Sequence, residues 1–147
     1  MSTGAVSRHG KKKFKIFLSH SDADLVPARK IRNLLVERLG LDVFMHNDLT
    51  GGPRLSQLRR EIEACDAFVP LITLNSVSDN WLLQETGGAW GLSKTIVPIV
   101  TERQTLNQFP IAIERHVALK INELDNSKTV EQFIKEFDQA LAATHAL

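Results

Sequence analysis

The chain has 147 residues, a length suited to one domain with a full hydrophobic core. Its 18 basic and 17 acidic side chains leave a formal net charge of +1, which gives no reason to expect a nucleic-acid or anionic-membrane partner. The single cysteine, Cys65, excludes an internal disulfide, and no apolar run approaches the roughly 20 residues that cross a bilayer.

Residues 1–13 are polar and end in Lys11-Lys12-Lys13. They read as a flexible tail or linker, and without an apolar stretch they do not make a secretory signal. Residues 14–147 read as a single domain, expected in the cytoplasm. The apolar run Lys15-Ile16-Phe17-Leu18 is the expected first strand. Ile31, Leu34, Leu35 and Leu39 then recur at helical spacing, with Pro27 tolerable in the first turn, Asp22 or Asp24 as the cap and Gly40 as the stop.

Residues 42–45 form the expected second strand, and 47–54, with Gly51-Gly52-Pro53, must be a loop. Leu55, Leu58, Ile62 and Cys65 mark a second amphipathic helix that ends in a buried thiol. The third strand falls at 67–72, with Pro70 an unusual guest. Ser78 or Asp79 caps a third helix running through Trp81 to about Ser93. A fourth strand is expected at 95–100, where Pro98 suggests an edge or a strand end, and a weak fifth at 116–121. Ser127 is the expected cap of a last helix whose stripe is Val130, Phe133, Ile134, Phe137 and Leu141.

Strands alternating with helices imply an α/β fold built from right-handed βαβ units. The expected architecture is a flavodoxin-like open sheet of about five mostly parallel strands, order 2-1-3-4-5, with helices on both faces. In that order the loops after strands 1 and 3 flank one crevice at the carboxyl ends of the strands.

The crevice collects the polar candidates. Trp81 and Glu85 are four apart, on one helix face. Glu85 is the residue expected to carry chemistry; the plain alternative is a core tryptophan beside a solvated acid. Gly87-Gly88 inside the same helix costs on the order of 2 kcal/mol relative to alanine, which points to close packing, a ligand or a bend. Ser19, His20, Ser21, Asp22 and Asp24 crowd the first loop, as either a ligand site or a strong cap with turn formers. In the loop 47–53, Asp48 offers a carboxylate to a ligand hydroxyl, or the segment is a surface connector. There is no G-x-S-x-G elbow and neither glycine-rich phosphate loop. The five histidines and one cysteine show no metal-ligand spacing.

Taken jointly, these segments resemble a TIR (Toll/interleukin receptor) domain over Lys15 to about Phe137. Phe17-Leu18-Ser19-His20-Ser21-Asp22 is similar to the family's opening strand and loop. Asp42-Val43-Phe44 and the Gly-Pro loop after it resemble its second strand and mobile BB loop. Ser78 to Glu85 resembles the W-x-x-x-E segment of its NAD-cleaving members, and Gly88 to Lys94 is closest to microbial ones.

The resemblance implies an NAD+ nucleosidase in which Glu85 is catalytic, holds the ribose hydroxyls and stabilises positive charge on the sugar. Trp81 would wall the pocket, Ser19, His20 and Ser21 would line the nicotinamide side, and Asp48 would close over the ligand. His20 and Ser21 depart from the aromatic or basic groups of other enzymes there. NAD+ is then a substrate, with no cofactor and no metal. The implied partners are other TIR domains by self-association and a fused or separate sensor domain. The rival readings are a non-catalytic TIR–TIR scaffold acting through the loop 47–53, and a nucleoside-processing glycosyltransferase of similar architecture.

Overall fold

The computed structural model describes residues 13–49, 55–102, 107, 109 and 116–144. The expected tail therefore lies, but for Lys13, outside the described residues, as do positions 50–54 of the expected loop. Five strands form one parallel sheet in the order β2-β1-β3-β4-β5. They are β1 (Lys15–Ser19), β2 (Asp42–Phe44), β3 (Ala67–Ile72), β4 (Ile99–Val100) and β5 (Val117–Ala118). The helices are α1 (Leu25–Leu39), α2 (Leu55–Ala64), α3 (Asn80–Gly91) and α4 (Ser127–Thr144).

Alternation along the central strands assigns the two faces. Ile16 and Leu18 of β1, with Ala67, Val69 and Leu71 of β3, pack with Ile31 and Leu35 of α1 and Phe133 and Phe137 of α4. Phe17 and Phe68 point the other way, into Leu58 and Ile62 of α2 and Ala89 of α3. Ser19 shares the parity of Phe17. Its hydroxyl therefore emerges under α3 at the carboxyl end of β1, the one buried polar position on that face of the strand.

The prolines explain where the ladder breaks. Phe68 accepts from Val97 and donates to Thr95, so alternate residues of β3 face β4. Pro70 shares that parity, and its missing N–H falls between the isolated Phe68–Ile96 pair and the Leu71–Ile99 pair. Pro98 sits in the same gap. The expected fourth strand is thereby shortened to two residues, and it is paired on both sides rather than at an edge.

Two cap expectations change and one resolves within its stated alternatives. Asp24 stands at the N-cap of α1, but neither it nor Asp22 caps the helix with its side chain. Asp79, not Ser78, caps α3 by accepting from Leu82 N–H at 2.8 Å. Asn126, not Ser127, caps α4, its side chain accepting from Lys128 and Thr129. Gly40 ends α1 in the left-handed conformation (φ 63°), with Gly40 and Leu41 returning bonds to Val36 and Leu35. Leu55, expected in the buried stripe of α2, is 74% exposed at its first turn. No helix among the described residues is long and apolar enough to cross a membrane.

Candidate active site

The buried face of α3 is Leu82, Glu85, Thr86 and Ala89, a stripe at i, i+3, i+4 and i+7. Glu85 thus holds a position that the helical pattern gives to an apolar residue. It is 4% exposed. Its Oε1 accepts a hydrogen bond from the Ser19 hydroxyl at 2.6 Å. Its Oε2 is buried and has no hydrogen-bond partner.

Burial is the main force on this carboxyl. Loss of water raises its pKa to about 7, aided by the Asp79 charge and opposed by the Ser19 hydrogen bond. The Trp81 indole N–H lies near enough to favour the charged form, yet it falls outside hydrogen-bond geometry and is itself unpartnered.

His46 completes the group. It follows β2 in a short turn, His46–Asp48, and its Nδ1 lies 3.9 Å from Glu85 Oε2. That nitrogen is also buried without a partner. The ring stacks on His20 (centroids 5.1 Å, 23°) and meets the Trp81 ring edge-on at 5.6 Å. Burial and the neighbouring His20 push its pKa down, against the pull of Asp22, Asp79 and Asp48. His20 is held at both ends: Nδ1 donates to the Ser21 carbonyl at 2.7 Å, and Nε2 pairs with the Asn47 side-chain amide at 3.0 Å.

The fold therefore brings Ser19, Trp81 and Glu85 together and sets His20 one ring behind them. Ser21 and Asp48 point elsewhere. Ser21 donates to Asp24 Oδ2 at 2.8 Å, and that carboxylate also receives Thr73 (2.6 Å) and Asn75 (3.0 Å). This buried knot ties the loop after β1 to the loop after β3. Asp48 accepts from Arg32 at 2.7 Å and from the Met45 backbone N–H at 2.9 Å, so its carboxylate closes its own turn. His46 was missed in the sequence, although its place just past the carboxyl end of β2 was a usable signal.

Beside Glu85 opens a cleft of about 390 Å³ between α2 and α3, walled by Leu58, Ile62, Trp81 and Leu92. Among the described residues, no group of three or more His, Cys, Asp or Glu is placed to hold a metal ion. Cys65 is buried, and burial pushes its thiol up to about 11, so it is an inert core group.

A family model described as a TIR domain matches residues 16–141. Three solved structures share the fold. One is a fungal multi-domain GH3 beta-N-acetylglucosaminidase described for its GCN5-related glucosamine N-acetyltransferase region, at TM-score 0.57 and 16% identity over 86% of this chain and 14% of that one. A second is diflavin flavoprotein A3 from Nostoc sp., at TM-score 0.51 and 14% identity over 92% and 99% of the two chains. The third is the TIR domains of the activated Roq1 resistosome directly recognizing the pathogen effector XopQ, at TM-score 0.53 and 18% identity over 92% and 85%. No curated protein matches the chain in sequence. The matched span runs from β1 to the last turns of α4, over the five-stranded parallel sheet described above, and the chain belongs to the TIR domain family.

Proposed function

We propose that this TIR domain cleaves the nicotinamide–ribose bond of NAD+. One observation carries the reading. Glu85 is buried and fixed at one oxygen by Ser19, while its other oxygen stands unpartnered beside two unpartnered nitrogens, Trp81 Nε1 and His46 Nδ1. Buried polar atoms are nearly always satisfied, so three unpartnered ones in one place support a polar ligand there. A ribose diol fits, with hydroxyl donors for the carboxylate and lone pairs for ring N–H groups.

The chemistry follows from the charges. The C–N bond breaks heterolytically and its electron pair moves onto the ring nitrogen. Neutral nicotinamide leaves, and no general acid is required. Positive charge grows on the sugar, as in glycoside cleavage, and the ionised Glu85 stabilises it in a low-dielectric setting. The bound pyridinium cation also favours loss of the Glu85 proton, because an opposite charge nearby lowers a carboxyl pKa. Water attacking the sugar gives ADP-ribose and one proton; a nucleophile within the same ligand gives a cyclic isomer.

By analogy with the Roq1 resistosome, whose structure contains TIR domains, activity is proposed to need assembly with further copies, driven by a fused or separate sensor. The protein is read as an immune or stress effector. The test is NAD+ depletion at high protein concentration or with a crowding agent, comparing the natural chain with Glu85→Ala. Depletion that depends on Glu85 supports the enzyme. No depletion under any clustering condition supports a TIR–TIR scaffold, and cleavage of free nucleosides in place of NAD+ supports the glycosyltransferase reading.

A further inference from the structure

Glu85 is a buried acid that has to give up a proton before it can act as a carboxylate. Its Oε1 is held by Ser19, which is 0% exposed and offers no way out. Its Oε2 is closed off from solvent, and the cleft beside it is walled by Leu58, Ile62, Trp81 and Leu92. A proton on such an oxygen leaves through a neighbouring group that also reaches water.

The His46 ring spans that gap. Its Nδ1 lies 3.9 Å from Glu85 Oε2, and its Nε2 lies 3.9 Å from Asp22 Oδ1. The Asp22 side chain is 96% exposed. One ring thus faces an acid in the interior with one nitrogen and a carboxylate in water with the other. The flat contact with His20 and the edge contact with Trp81 set its plane. His20 itself cannot take this part, because its two nitrogens are engaged by the Ser21 carbonyl and by Asn47. Asp79 and Asp48 are the other charges felt by the ring, and both accept backbone N–H groups, from Leu82 and Met45.

We propose that His46 and Asp22 carry the Glu85 proton to solvent. The Asp22 carboxylate facing Nε2 favours the resting tautomer with its hydrogen there, which leaves the Nδ1 lone pair to accept. The Oε2–H bond breaks as the Nδ1–H bond forms. The Nε2–H bond breaks as its proton passes to Asp22 Oδ1 and on to water. The ring ends neutral with its hydrogen on Nδ1, where it donates to a ribose hydroxyl, and exchange with water resets it once the product has left. Each 3.9 Å contact closes by about 1 Å to reach hydrogen-bond distance, the kind of tightening that accompanies a filled site. The resting charges suit the transfer. Burial raises Glu85 to about 7 and pushes His46 down, so below that pH the proton rests on the acid beside an imidazole able to accept it. In turnover the proton lost by the attacking water returns to Glu85 and leaves by the same route. That use rests on the reading of Glu85 given above; the route itself does not.

The test needs no NAD+. In the isotope-labelled full chain, the carboxyl carbon of Glu85 is followed by NMR as the pH passes through about 7, its signal identified by its loss in Glu85→Gln. Line shapes give the rate at which the protonated and ionised forms interchange. His46→Phe keeps an aromatic ring between His20 and Trp81 and removes both nitrogens. It is expected to slow the interchange by roughly a hundredfold, the scale of losing one positioned proton carrier. Asp22→Asn changes an exposed side chain and is expected to slow it to a smaller extent. In His46→Gly, added imidazole is expected to restore the rate, and pyrrole, which has no basic nitrogen, is not. A natural rate in His46→Phe would overturn the route and show that water reaches Glu85 through the α2–α3 cleft, with the Glu85 reading intact. If His46→Phe does not fold, an unchanged rate in Asp22→Asn overturns the route in its place. Slowed interchange in a chain that leaves NAD+ intact in every assembled state would support the route and remove the enzymatic reading.

Discussion

Ser19 and Glu85 are 66 positions apart, and their side chains meet at 2.6 Å in the interior. The contact joins the carboxyl end of a central strand to the middle of a helix face. It leaves one oxygen of a buried acid fixed and the other open. The predictions below follow from that asymmetry.

Ser19→Ala removes the hydrogen bond that holds the Glu85 pKa down, so the carboxyl should titrate still further above its ordinary range. NAD+ cleavage near neutral pH is expected to fall and to recover partly as the pH is raised. A pH–rate profile of the variant checks this. A uniform loss at every pH would assign Ser19 a purely structural role.

The reaction needs the ionised acid. With Glu85 titrating at about 7 in the free protein, kcat/KM should rise with pH through that value and level off above it. The profile of kcat should lie at lower pH, because the bound cation favours the carboxylate. Coincident profiles for kcat and kcat/KM would contradict the proposed pairing of the pyridinium with Glu85.

The same acid weakens the fold. Its folded-state pKa, about 7, stands above the ordinary 4.5, so the folded chain binds the extra proton more tightly than the unfolded chain. Stability from this group is present at low pH and is lost as pH rises from about 4.5 through 7. Glu85→Gln keeps an acceptor for Ser19 and has no charge to bury. It is expected to exceed the natural chain in stability at pH 8 by on the order of 3 kcal/mol and to match it near pH 4.5. Denaturant melts at the two pH values measure the difference.

Asp24→Ala should act through the fold instead. It strips the common acceptor from Ser21, Thr73 and Asn75, leaving buried donors without partners. The expected cost is about 2–4 kcal/mol of stability. The pH midpoint of any remaining activity should not move. A shifted midpoint would connect Asp24 to the acid directly.

Much of the architecture was legible in the chain. Short apolar runs and 3.6-residue stripes identified the strands and helices because burial decides them, and the strand order followed from their βαβ alternation by likeness to flavodoxin-like sheets. The caps were less legible. Asp24 is a good capping residue by type, but the buried hydroxyls of Ser21 and Thr73 and the amide of Asn75 compete for its carboxylate, and that competition is tertiary. The spacing of Trp81 and Glu85 pointed to one helix face. It could not show that Glu85 lies on the buried stripe, which depends on the face that meets Ser19. His46 is buried through rings from two other segments, His20 and Trp81, and no local pattern reports that. The engagement of Asp48 by Arg32 likewise depends on how α1 lies against the turn after β2.

Glu85→Gln gives the most direct measurement of all, since it changes charge while preserving shape and the Ser19 contact. Nicotinamide release from NAD+ by the assembled natural chain should exceed that of the variant by about a hundredfold to a thousandfold, the scale of losing one preorganised charge at a reacting centre. Equal rates from the two proteins would contradict the account, because cleavage would then proceed without the carboxylate.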